Sequence, residues 1–290
     1  MTGPRGGADR EDDSPLRVVR SADGTSIAVF ESGTAEPGTP PLLLVHGTTA
    51  DHLTFRVVAP LLGRRRRLHA IDRRGRGASG DGQTYSIERE FEDVAAAAEA
   101  VAEDFGGPVD VLGHSYGGRC ALGAALLTSA IRRVVSYEGA PAAGGRPYRR
   151  QDLVDRLRAQ LAQGARAAAL ETFMREVVGM DDAAMDRFQA DAVWPLRVAA
   201  SPTILRELLA EPAPAASLVA LGRVAVPVLQ VLGTESRPAF RAATAALDAL
   251  LPRGTVVRIE GAAHAAHHTH PDAFASVVES FLDSADQPRS

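Results

Sequence analysis

The stretch Gly113-His114-Ser115-Tyr116-Gly117-Gly118 has the residue types and spacing of a reactive turn. It follows the apolar run Val109-Asp-Val-Leu112 and fits the pattern G-x-S-x-G. A strand that turns sharply into a helix leaves little room beside the turn residue. Small residues two positions to either side let the two elements approach. Ser115 would then project its hydroxyl beyond the sheet edge, and the first N–H groups of the helix could bind an oxyanion. The chemistry this describes is attack on an acyl carbon. A serine hydroxyl is a poor nucleophile near neutral pH, so it needs an imidazole to take its proton and a carboxylate to orient that imidazole.

The flanking elements are those that such a turn requires. Apolar runs bounded by turn residues predict strands at Leu16–Arg20, Thr25–Glu31, Leu42–Val45, Leu68–Ile71, Val109–Leu112, Ile131–Tyr137, Pro227–Leu232 and Thr255–Ile259. Helical patterns fall between them, at about Leu53–Leu62, Ile87–Phe105, Gly118–Thr128, Pro238–Leu251 and Asp272–Leu282. Strand–helix alternation with short connections predicts an α/β fold with a doubly wound, mostly parallel sheet. The alternation lapses after Pro141, where only helical signals occur, broken by glycines and prolines. The expected division is a disordered leader over residues 1–15, a core over 16–140 and 223–286, and an inserted helical cap over 141–222.

Three further segments resemble the α/β-hydrolase superfamily together with the serine turn. Leu44-Val45-His46-Gly47-Thr48 looks like its oxyanion loop. Asp72-Arg73-Arg74-Gly75-Arg76-Gly77-Ala78-Ser79-Gly80 looks like the loop after its fourth strand, and Gly261-Ala-Ala-His264 like its histidine loop. The resemblance implies catalytic Ser115, His264 and a carboxylate. It also implies an oxyanion hole of the Thr48 and Tyr116 backbone amides. Many relatives carry the acid three residues after the glycine ending the seventh strand, but that position here is Ser236, with Glu235 beside it. The other placement, directly after the sixth strand, is matched by Glu138, which is the preferred acid. Asp72 and the arginines after it are expected to be structural. Phe55 and Trp194 are candidate substrate-binding residues, with Phe173 and Met174 suiting an apolar pocket.

Composition excludes several alternatives. The 290 residues are 45% apolar and 23% charged, enough for a large core. All 32 basic residues are arginine, which rules out Schiff-base, phosphate-loop lysine and Ser-Lys chemistry. No asparagine is present, so a Cys-His-Asn triad is excluded, and the single Cys120 is read as a small buried residue. A net charge of −4 gives no reason to expect nucleic acid or anionic lipid as a partner. Nothing resembles a secretory signal or a membrane span, so a cytoplasmic location is expected. Arg64–Arg67 is read as a solvated helix end, and His267, His268 and His270 as solvated or at the pocket rim rather than as metal ligands. No cofactor or metal is required.

The expected activity is therefore hydrolysis of an ester, thioester or lactone through an acyl-enzyme, on a small, apolar acyl substrate. Serine at the turn argues against the branches of the superfamily that use an aspartate nucleophile. The alternatives are a cyclase, lyase or cofactor-free oxygenase on the same fold, which would tolerate loss of the serine, and a non-catalytic binder.

Overall fold

The computed structural model describes residues 15–143 and 147–284. The expected leader lies outside the described residues except for Pro15. Eight strands form one sheet in the order β1-β2-β4-β3-β5-β6-β7-β8. They are β1 (Arg17–Arg20), β2 (Ser26–Ser32), β3 (Leu42–Val45), β4 (Leu68–Ile71), β5 (Val109–His114), β6 (Ile131–Tyr137), β7 (Val228–Gly233) and β8 (Gly254–Ile259). β2 pairs antiparallel with β1 and with β4, and every pairing from β4 to β8 is parallel. The central strands are buried on both faces, which is why β3 reads Leu-Leu-Leu-Val without alternation.

Helices cover both faces. α1 (Ala59–Leu62) is shorter than the helix expected over Leu53–Leu62, because Pro60 has no N–H to donate and is tolerated only in a first turn. The residues before it form a separate helical turn, His52–Phe55. α2 (Ile87–Phe105) begins at Ser86, whose hydroxyl accepts the Arg89 N–H, and ends at left-handed Gly106. Its buried stripe of Ile87, Phe91, Val94, Ala98 and Val101 packs on one sheet face with α3 (Tyr116–Ala124). Burial of each large member contributes about 1.5–3 kcal/mol.

Between β6 and β7 the chain forms a helical layer. It comprises α4 (Gln151–Ala162), α5 (Arg166–Phe173), α6 (Asp182–Ala190), α7 (Trp194–Ala200), α8 (Thr203–Ala210) and α9 (Leu218–Leu221). These helices hold an apolar cluster of their own, including Leu153, Leu157, Leu170, Phe173, Met185 and Ile204. After β7 come α10 (Pro238–Asp248), α11 (Ala266–Thr269) and α12 (Pro271–Leu282), the last packing with α1 on the second sheet face. Among the described residues, no helix is long and apolar enough to cross a membrane.

The Arg64–Arg67 run departs from the expected solvated end. Arg66 is fully buried, and its guanidinium is bidentate to Glu279 (3.1 and 2.9 Å) and bonded to Asp283 (2.9 Å). The run thereby fastens the C-terminal helix to the start of β4.

Candidate active site

β5 runs into α3 through Ser115, whose backbone sits at φ 55°, ψ −123°. The close approach explains the glycines. A Cβ at Gly113 would lie 2.3 Å from the Gly117 carbonyl oxygen, and one at Gly117 would lie 2.3 Å from the carbonyl oxygens of both Val45 and His46. Any side chain there would push the helix off the sheet. The Ser115 N–H donates to the Tyr137 carbonyl (2.8 Å), which ties the turn to the end of β6.

The next residue on that strand end is Glu138, 4% exposed. Its Oε2 lies 2.5 Å from His264 Nδ1, and because a carboxylate only accepts, this nitrogen carries the proton. Its other oxygen accepts the Gly233 N–H (3.2 Å) and the Ser236 hydroxyl. Ser236, three residues after Gly233, thus donates to the carboxylate that holds His264. Glu235 is exposed and contributes only its backbone N–H, to the Ala262 carbonyl (2.9 Å). The loop carrying His264 is held from three sides. The Tyr137 hydroxyl donates to the Ala263 carbonyl and accepts the Ala266 N–H (2.8 Å), and the Phe240 ring stacks on His264 at 4.5 Å. His114 Nε2 donates to the His264 carbonyl (2.9 Å), with burial keeping that imidazole neutral. Tyr137 escaped the sequence reading. A tyrosine closing a strand buried to its end is a usable signal, since its hydroxyl must find a partner when buried.

The loop after β3 supplies the opposite wall. His46 is buried and neutral: burial and then the charge of Arg73 hold its pKa well below the ordinary value. Its Nε2 accepts the Arg73 N–H (2.9 Å) and its Nδ1–H donates to the Gly47 carbonyl (2.9 Å). The Thr48 N–H has no backbone acceptor among the described residues. The Tyr116 N–H opens α3, where first-turn donors have no intrahelical partner. Thr48 and Tyr116 both line spaces that Ser115 also lines. Asp72 is structural, accepting the His52 and Ala78 N–H groups (2.9 and 2.8 Å). Arg74 and Arg76 pair with Asp93 and Glu90.

Among the described residues, three non-glycine positions have positive φ: Thr49 (60°), Ser115 (55°) and Glu138 (49°). All three belong to these loops. Such strain costs on the order of 1–3 kcal/mol per residue and persists only where packing enforces it.

Ser115 and His264 line a cavity of about 230 Å³ beneath the inserted helices. Phe173, Met174, Val178, Met180 and Phe188 form its apolar wall. A smaller space of about 50 Å³ on the other side of Ser115 is lined by Tyr116, Arg119, Tyr148, Phe240 and Glu138. Two expected lining residues are corrected. Phe55, 1% exposed, points into the core with Leu44 and Val58 and lines neither space. Trp194 packs edge-on against Phe188 within the helical layer (5.3 Å), one residue from Val193, which does reach the cavity. Of the histidines after His264, His267 and His268 both line the cavity, and His267 is 2% exposed rather than solvated, packed between His114 and Phe55. Cys120 is buried.

The cavity also carries charge that the sequence reading missed. Arg56, Arg187 and Arg197 line it, against Asp191 as the one carboxylate in its wall. Arg56 and Asp191 pair at 2.5 Å. Arg197 is 6% exposed, and burial pulls its pKa down to about 10.

Comparison with known proteins places these features. The chain is 28% identical over 268 residues to a pimeloyl-[acyl-carrier protein] methyl ester esterase of Edwardsiella ictaluri, covering 86% of this chain and 96% of that protein. It is 27% identical over 260 residues to a 2-(acetamidomethylene)succinate hydrolase of Mesorhizobium japonicum, covering 86% and 90%. The crystal structure of an alpha/beta hydrolase from Sphaerobacter thermophilus superposes with a TM-score of 0.77 at 32% identity, over 92% of this chain and all of that one. These relatives are hydrolytic enzymes, which supports hydrolase activity here. The model of the alpha/beta hydrolase family matches residues 42–277, from β3 into α12, a span that takes in the serine turn, Glu138, the inserted helices and His264; the chain belongs to that family.

Proposed function

We propose that the protein is a carboxylic ester hydrolase that works through an acyl-enzyme on Ser115. The observation that carries this reading is the buried Glu138–His264 hydrogen bond, facing the cavity that His264 shares with Ser115. Ser115 Oγ attacks the carbonyl carbon while His264 Nε2 takes its proton. Glu138 holds the Nδ1–H and stabilises the imidazolium. The Thr48 and Tyr116 N–H groups receive the tetrahedral oxyanion, and loss of one such donor typically costs ~2.7–4 kcal/mol. Collapse breaks the bond to the leaving alcohol, which departs with the proton from His264. Water, deprotonated by the same imidazole, then releases the acid and restores the serine. The apolar wall suits the hydrocarbon portion of a small substrate. The names of the two relatives, a methyl ester esterase and a succinate hydrolase, support small carboxylic acid derivatives as the substrate class.

The test combines a fluorophosphonate label with turnover of p-nitrophenyl esters. Labelling is expected at Ser115 alone. Ser115→Ala and Glu138→Gln are expected to lower kcat by roughly 10,000-fold, and exposed Glu235→Gln to leave it unchanged. Absence of label, or full activity in Ser115→Ala, overturns the acyl-enzyme and leaves a cyclase or lyase on the same fold.

A further inference from the structure

Among the described residues, Arg197 is a buried cation without an ion pair. Its Nη2 donates to Thr54 Oγ1 (2.9 Å), and this is the guanidinium's one hydrogen bond among the described residues. Its Nε is buried with no partner. The acids nearest in electrostatic effect are Asp51 and Asp191. Asp191 is engaged by Arg56 at 2.5 Å, and Asp51 accepts the Leu53 N–H at 3.1 Å; neither pairs with Arg197. Burying an ion without compensation costs several kcal/mol, so arginines in such positions are ordinarily paired. Four other buried arginines, Arg66, Arg73, Arg74 and Arg76, each hold a carboxylate, whereas the buried Arg119 bonds the Ala140 carbonyl and lies over the Tyr116 and Tyr148 rings.

The position of Arg197 supplies the explanation. It projects from α7 into the wall of the cavity that also holds Ser115 and His264. Arg56 and Arg187 add positive charge there against a single aspartate. An anion entering this space would meet a desolvated guanidinium with free N–H groups, where a charge-assisted pair is strongest. A planar, delocalised cation suits a carboxylate in particular.

We propose that Arg197 is a specificity-determining residue that receives a carboxylate on the substrate, so that the protein prefers acidic half-esters to neutral esters. The claim rests on the hydrolase reading for its ester but not for its anion. The substrate would combine an apolar stem, lying on Phe173 and Met174, with a carboxylate at the end remote from the scissile bond.

The experiment compares p-nitrophenyl hydrogen adipate with p-nitrophenyl hexanoate, which differ in the terminal group. The wild type is expected to favour the adipate by about tenfold or more in kcat/KM. In Arg197→Gln this ratio should fall at least about tenfold, with the change carried by KM, and Arg197→Lys should keep part of it. A wild-type ratio of one or less overturns the proposal, whatever the variants do. So does an unchanged ratio in a folded Arg197→Gln protein. A separate binding arm uses calorimetry of monomethyl adipate and methyl hexanoate on Ser115→Ala, with and without Arg197→Gln. Preference for the half-ester that depends on Arg197, together with no fluorophosphonate label at Ser115 of the wild type, would refute the acyl-enzyme and keep the carboxylate site. Equal binding of both esters would refute the site and leave the acyl-enzyme standing.

Discussion

Arg73 and Arg197 are both almost wholly buried, and their surroundings are opposites. Arg73 meets Glu90 through two bonds (2.8 and 2.7 Å) and reaches Glu207 on α8 at 3.0 Å, so it joins the sheet's loops to the inserted helices. Arg197 has a threonine hydroxyl and a cavity. Where a chain brings its own counter-charge to a buried ion, the ion serves the architecture. Arg197, which faces a cavity instead, is the ion proposed to take its counter-charge from the substrate.

The contrast predicts opposite responses to the same substitution. The largest effect is expected for Arg73→Met, which leaves Arg76 as the one cation paired to Glu90 and Glu207 among the described residues and should cost about 3–5 kcal/mol in chemical denaturation. A loss below 1 kcal/mol would mean the network is dispensable.

Acid should separate the two regions next. Burial first, then neighbouring positive charge including Arg197, holds His267 well below the ordinary histidine value of 6.5, and His268 down to about 4. The unfolded chain therefore binds more protons below pH 6.5. Stability is full above that pH and falls as pH drops from 6.5 towards 4, by roughly 1.4 kcal/mol per pH unit for each fully buried histidine. Burial alone would raise Glu90, but the charges of Arg73 and Arg76 prevail and hold it at about 2. Its contribution is complete above the ordinary 4.5 and is lost only as pH falls from there to about 2. Denaturant midpoints measured from pH 8 to pH 3 should show the cavity-side loss first. A single transition confined below pH 4.5 would contradict the buried neutral histidines.

The smallest effect has the opposite sign. Arg197→Met removes an uncompensated charge and should raise stability by ~1–2 kcal/mol. A destabilisation of that size would show that Arg197 is satisfied within the chain.

The same contrast explains what the sequence could disclose. Ser115 is legible because a strand, a tight turn and a helix are local, and the turn's steric needs write themselves as glycines at fixed spacing. Glu138 is legible as the residue directly after β6, although its positive φ and its bond from Ser236 are not. Phe55 and Trp194 are misread because an aromatic's type says nothing of which side of a short helix it occupies. Arg197 has no pattern at all: what marks it is burial in a cavity wall without an ion pair among the described residues, which only the packed chain defines. The eight strands, by contrast, follow from apolar runs bounded by turns and match within a residue or two at each end.

In the proposed function the acid sits at the end of β6, which releases the segment between β7 and α10 from supplying it. Ser236 keeps a supporting bond there, but no ionisable group is demanded. A genome search that requires aspartate after the penultimate strand would discard this polypeptide as inert. One that admits glutamate a strand earlier, paired with a hydroxyl at the emptied position, would gather sequences sharing the same rearrangement.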